Sequence, residues 1–117
     1  MKKEFDGKVA LVTGGGRGIG RAIARKLAEN GAKVAINYLS NEEAAKVSAS
    51  EVKKFTNSYM LIKANVADQK SVKRMVGLVE KDLGPVDLLV TNAGIAKMPN
   101  YPLDMNFETW KELMRVN

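Results

Sequence analysis

Short apolar runs alternate along this chain with segments whose apolar positions recur every three or four residues. Val9-Ala10-Leu11-Val12 is the first run, and it predicts a strand over 8–13. Ile19, Ala22, Ile23 and Leu27 follow at helical spacing. They predict a helix over 18–30, closed by Asn30-Gly31, a pair suited to a left-handed cap. Lys33-Val34-Ala35-Ile36-Asn37-Tyr38 predicts a second strand over 33–38. Ser40-Asn41-Glu42-Glu43 has the form of a capping box, so the next helix begins near 41 and runs to about Phe55. Tyr59 to Ala64 predicts a third strand. Val72, Met75, Val76 and Val79 form an apolar stripe that Leu83 extends, which predicts a helix over 69–82 ended by Gly84-Pro85. A fourth strand is expected over 86–91. A loop over 92–104 contains Pro99 and Pro102, and a last helix starts near Asn106.

Strands alternating with helices argue for βαβ units and a parallel sheet. No linker, repeat or low-complexity stretch divides the chain, so residues 1–117 are expected to form a single domain. Right-handed crossovers and a glycine turn after the first strand predict a doubly wound α/β sheet of about four strands, in the order 3-2-1-4.

Composition narrows the chemistry. There is no cysteine and no histidine, so disulfides, the usual zinc sites and imidazole acid–base catalysis are excluded, and no metal site is expected. The hydrophobic fraction of 45% suits a folded protein rather than a disordered one. No apolar run approaches the ~20 residues of a membrane span. Met1-Lys2-Lys3-Glu4-Phe5-Asp6 lacks the apolar stretch of a signal peptide, so a cytoplasmic protein without a membrane partner is expected. The net charge of +6 raises the question of nucleic acid. The basic residues are scattered singly or in pairs, as at Lys53-Lys54 and Lys73-Arg74, with no interleaved aromatics. They read as a solvated surface, not a nucleic-acid footprint.

The strongest chemical signal is Thr13-Gly14-Gly15-Gly16-Arg17-Gly18-Ile19-Gly20, set between the first strand and the first helix. Strand, glycine-rich turn and helix put backbone N–H groups and a positive helix end against a phosphate. Gly14 is expected to make the turn, and Gly16, Gly18 and Gly20 to let the backbone approach a pyrophosphate. Ile19 then sits over the ligand or in the core. The second strand ends without Asp or Glu, the residue that holds the ribose 2′-hydroxyl in sites for NAD. A 2′-phosphate is therefore not repelled, and Arg17 can pair with it. Asn37 and Ser40 are candidates for further hydrogen bonds. These features point to NADP as the cofactor.

The glycine spacing resembles the cofactor loop of the short-chain dehydrogenase/reductase family, and three later segments strengthen the resemblance. Asn65-Val66-Ala67-Asp68 is similar to the family's adenine-contacting segment, which implies that Asn65 and Val66 border the adenine. Read from the residues alone, Asp68 caps the next helix. Asn92-Ala93-Gly94 matches the family's Asn-Ala-Gly motif, which implies room for the cofactor's ribose side. Phe107, Trp110, Met114 and Asn117 share one helix face, and Asn117 matches an asparagine that supports a proton relay to a catalytic lysine. As the final residue it can equally be frayed. The stretch from Ile36 to Ala44 is also similar to the 3-oxoacyl-[acyl-carrier-protein] reductase branch.

The resemblance implies a partial Rossmann-like fold. It also implies hydride transfer between NADP(H) and a carbonyl or acyl substrate. The apolar fourth strand, Leu88-Leu89-Val90, and the last-helix face of Phe107, Trp110 and Met114 are expected to pair with a second copy, giving a homo-oligomer. The family's Ser and Tyr-x-x-x-Lys lie beyond the matched segments, so the chain alone is expected to be inactive. Tyr59-Met60-Leu61-Ile62-Lys63 repeats that spacing, but in a predicted strand i and i+4 stand ~13 Å apart. The alternative from the residues is a naturally short, non-catalytic dinucleotide-binding module.

Overall fold

The computed structural model describes residues 3–16 and 18–91. Its elements are β1 (Val9–Val12), α1 (Gly18–Glu29), β2 (Lys33–Tyr38), α2 (Glu42–Lys53), β3 (Tyr59–Lys63), α3 (Gln69–Asp82) and β4 (Leu88–Val90). The strands form one sheet in the order β3-β2-β1-β4, and every neighbouring pair is parallel. This is the expected α/β architecture, with helices on both faces.

Alternation along β1 shows how one strand serves both faces. Val9 and Leu11 enter a core that α3 completes with Val72, Met75, Val76 and Val79. Ala10 and Val12 face the opposite way and join Val34, Ile36, Ala24, Ala28 and Val52. All four β1 residues are buried, as a central parallel strand requires. Leu11, Ile36 and Met75 are fully buried. Each such side chain contributes about 1.5–3 kcal/mol relative to exposure. Ala24 and Ala28 let α1 lie close on the sheet, and a larger residue there would overpack by about 1–3 kcal/mol.

The predicted bounds of β2 and α3 agree with the structure residue for residue. Start and stop chemistry accounts for the rest. Asn41, rather than Ser40, caps α2, with its side-chain oxygen accepting the Ala44 N–H at 3.0 Å. Asp68 caps α3 by accepting the Lys70 N–H at 3.2 Å. The fourth strand is shorter than expected and begins at Leu88. Its approach is nonetheless fixed to β1. The Asp87 N–H donates to the Val9 carbonyl at 2.8 Å, and the Asp87 carboxylate accepts the Val9 N–H at 3.0 Å. Tyr59 and Lys63 are the two ends of β3, which separates them as a strand does. The loop expected over 92–104 and the helix expected from Asn106 lie outside the described residues. Among the described residues no helix is long and apolar enough to cross a membrane.

Candidate functional site

The carboxyl ends of β1 and β2 bring three segments together: the glycine loop, the stretch after β2 and the start of α1. The loop begins at Thr13, which is buried and doubly tied to β4. Its N–H donates to the Val90 carbonyl at 2.9 Å and its hydroxyl donates to the same oxygen at 3.3 Å. The chain then turns at Gly14, whose φ of 67° is left-handed, and opens into α1 at Gly18, whose φ of 61° is also left-handed. Both positions favour glycine on backbone grounds alone. Among the described residues, nothing outside its own helix and chain neighbours would lie within 4 Å of a Cβ at Gly18.

Gly15 is a glycine for a different reason. A Cβ there would stand 3.0 Å from Ile36 Cγ2 and 3.4 Å from Val12 Cγ1. The loop therefore rests directly on β1 and β2.

Asn37 holds it there. The Gly14 N–H donates to Asn37 Oδ1 at 3.3 Å, and the Gly15 N–H donates to the Asn37 carbonyl at 3.1 Å. On its other side, Asn37 Nδ2 donates to the carbonyls of Ala64 at 3.1 Å and Ile62 at 3.4 Å. The side chain is 1% exposed. The Asn37 amide, expected to offer a hydrogen bond to a ligand, makes its hydrogen bonds here within the protein. It is the link between β3 and the loop.

The Gly16 carbonyl is held as firmly. It accepts from Arg21 Nη2 at 2.8 Å and from Ser48 Oγ at 2.8 Å. Arg21 Nε donates to Ser48 Oγ at 2.9 Å, and Nη2 also reaches the Ala44 carbonyl at 3.1 Å. Sequence reasoning missed both residues. Their signal was a polar group inside an apolar stripe: Arg21 shares a face with Ala24 and Ala28, and Ser48 with Ala45 and Val52.

The remaining candidates are distributed unevenly. Ile19 is 71% exposed, which removes it from the core and leaves it at the loop mouth. Gly20 is buried within α1. Ser40 is exposed, beside Leu39, which is 62% exposed. Asn65 is exposed at the end of β3. Its side-chain oxygen accepts the Ala67 N–H at 2.9 Å, and its own N–H donates to Ser71 Oγ at 3.0 Å. Val66 turns into the α3-side core. Arg17, Asn92, Ala93, Gly94 and Asn117 lie outside the described residues.

The electrostatics of the mouth suit an anion. The first turn of α1 carries no acidic residue, whereas that of α2 carries Glu42 and Glu43. The positive end of the α1 dipole is thus left unneutralised by its own sequence.

Comparison with known proteins adds to this geometry. The family model described as short chain dehydrogenase matches residues 8–117. The 3-oxoacyl-[acyl-carrier-protein] reductase FabG of Staphylococcus aureus is 43% identical over 110 residues, covering 94% of this chain and 44% of that protein. A short chain dehydrogenase from Burkholderia cenocepacia, solved in complex with NADP, superposes with a TM-score of 0.82 at 32% identity. That match covers 97% of this chain and 51% of the other. A blue fluorescent protein from a metagenomic library, solved with NADPH, is 43% identical with a TM-score of 0.73. Here the match covers 80% of this chain and 38% of that one. The chain spans less than half the length of the curated relative it matches.

Proposed function

This chain belongs to the short-chain dehydrogenase family, and from that premise we propose that it is the NADP(H)-binding portion of an oxidoreductase. The reaction is hydride transfer between the nicotinamide and a carbonyl or alcohol carbon. The substrate class is a 3-oxoacyl thioester, in line with the S. aureus relative. One observation carries the cofactor reading: a glycine loop with left-handed turns at Gly14 and Gly18 leads from β1 into a helix whose first turn has no acid of its own.

The residues present fit the group. The N–H donors at the start of α1, from Gly18, Ile19 and Gly20, are the ones a helix leaves without partners, and they take the pyrophosphate. Gly14 and Gly16 shape the loop from which those donors project. Arg17 pairs with the 2′-phosphate, and the exposed Ser40 hydroxyl adds a second donor. The segment after β2 offers no carboxylate up to Asn41, so nothing there repels that phosphate. Asn65, at the sheet's carboxyl edge, borders the adenine, and Val66 backs it from the core. Asn92, Ala93 and Gly94 border the ribose beyond β4. Asn117 supports the proton relay. When bound, the cofactor supplies the hydride. This chain's own part is to bind and orient it.

Titration with NADPH and NADH in parallel tests the reading. The expected result is tighter binding of NADPH. Equal affinities would overturn the 2′-phosphate assignment, and no binding of either would overturn the site.

A further inference from the structure

The Gly16 carbonyl is an acceptor at the very loop where, on the reading above, an anion binds. Left free, it would put a partial negative charge at the mouth. It is not free. Two donors, Arg21 Nη2 and Ser48 Oγ, hold it at 2.8 Å each. Together they satisfy both lone pairs of the oxygen.

The three groups form a closed triangle, because Arg21 Nε also donates to Ser48 Oγ at 2.9 Å. Ser48 is fully buried on α2, and Arg21 is half-buried on α1. The same Arg21 nitrogen reaches the Ala44 carbonyl at 3.1 Å, which ties the triangle to the start of α2. Two helices and the loop thus meet at one carbonyl oxygen.

Packing does not require this. The surrounding stripe is alanine and valine, with Ala24, Ala28, Ala45 and Val52 all buried. A charged side chain placed there loses hydration and rotamer freedom. That cost is met by bonds aimed at the loop, not at the neighbouring helix alone. The guanidinium also lies on the protein side of the loop, where its positive charge favours an anion on the other side.

We propose that Arg21 and Ser48 are positioning residues for the dinucleotide's pyrophosphate: they turn the Gly16 carbonyl inward, so that N–H donors alone face the mouth. The proposal rests on the dinucleotide reading. It differs from a purely structural role in one respect. Loss of either side chain should weaken ligands that carry a pyrophosphate and spare those that do not.

The test compares wild type with Ser48→Ala, Arg21→Met and Arg21→Lys, titrated with NADPH, ADP and adenosine, with thermal melting run beside each. Ser48→Ala and Arg21→Met should bind NADPH and ADP about tenfold more weakly, the effect of one hydrogen bond to the Gly16 carbonyl lost. Adenosine affinity should stay at the wild-type value in both. Arg21→Lys keeps a donor and a charge and should recover part of the loss. If Arg21→Met does not fold, Ser48→Ala carries the test, since it removes only a hydroxyl. Unchanged ADP affinity in a folded variant overturns the proposal and leaves the dinucleotide reading standing, as does equal weakening of ADP and adenosine. A wild-type protein that binds neither NADPH nor ADP overturns both.

Discussion

Asn37 Oδ1 accepts the Gly14 N–H at 3.3 Å, joining the end of β2 to the turn after β1 across 23 residues of sequence. The same side chain donates through Nδ2 to the carbonyls of Ile62 and Ala64. One buried amide therefore sets the height of the glycine loop over three strands. An asparagine does this because it carries donors on one atom and acceptors on the other.

Asn37→Asp should destabilise the protein without changing cofactor preference. A carboxylate oxygen would replace Nδ2 and face two carbonyl oxygens in a buried site. The cost is about 1–3 kcal/mol for the unpaired groups, and more for the charge. Urea denaturation should show the lower midpoint. Gain of NADH binding at unchanged stability would place position 37 in contact with the cofactor.

Much of the fold was legible because its signals are local. The bounds of α3 follow from a stripe at helical spacing, an Asp68 cap and Gly84-Pro85. β2 follows from an apolar run between Gly31 and the polar Ser40-Asn41. The loop was legible as glycines, but not in its anchoring. Asn37 reads as a polar strand end until β3 brings the Ile62 and Ala64 carbonyls beside it. Arg21 reads as surface charge until α2 supplies Ser48 and Ala44. Pairings made 23 to 27 residues apart leave no periodic trace.

The glycines at 15 and 18 should fail differently on substitution. Gly15→Ala puts a methyl against Ile36 and Val12, both fully buried. Overpacking of this kind costs about 1–3 kcal/mol. Gly18→Ala meets open space, so its cost is conformational, about 1–2 kcal/mol for the left-handed backbone. Gly18→Asn should recover part of that cost, since asparagine tolerates this region. Gly15→Asn should recover nothing. Melting temperatures of the four variants make the comparison, and an equal response at both sites would contradict it.

Helix α3 gives a simpler check. Asp68→Ala removes the acceptor for the Lys70 N–H and should cost about 1 kcal/mol. Asp68→Ser should restore most of it. A loss as large as that for a core substitution would assign Asp68 a further role.

A second copy of this chain is the expected partner for β4. Among the described residues, β4 pairs with β1 alone, and Leu88, Leu89 and Val90 are half-buried. A strand edge that pairs with nothing else favours pairing with another chain. Light scattering at micromolar concentration should give a mass above the 12.8 kDa of one chain. A single-chain mass across the concentration range would remove the expectation.

Arg17→Ala should separate the two nicotinamide cofactors. NADPH and NADH differ by the 2′-phosphate, which we propose Arg17 and Ser40 bind, and the sequence carries no carboxylate from Ile36 through Asn41. A charge-assisted contact is worth about 1.5–3 kcal/mol. Its loss should weaken NADPH by about tenfold to a hundredfold and leave NADH nearly unchanged. Salt gives an independent check. An exposed ion pair is screened within about 10 Å at 0.1 M ionic strength, so raising salt should narrow the wild-type preference. In Arg17→Ala the preference should already be small and salt should change it little. Equal loss for both cofactors would move Arg17 to the pyrophosphate, and no loss for either would place it outside the site.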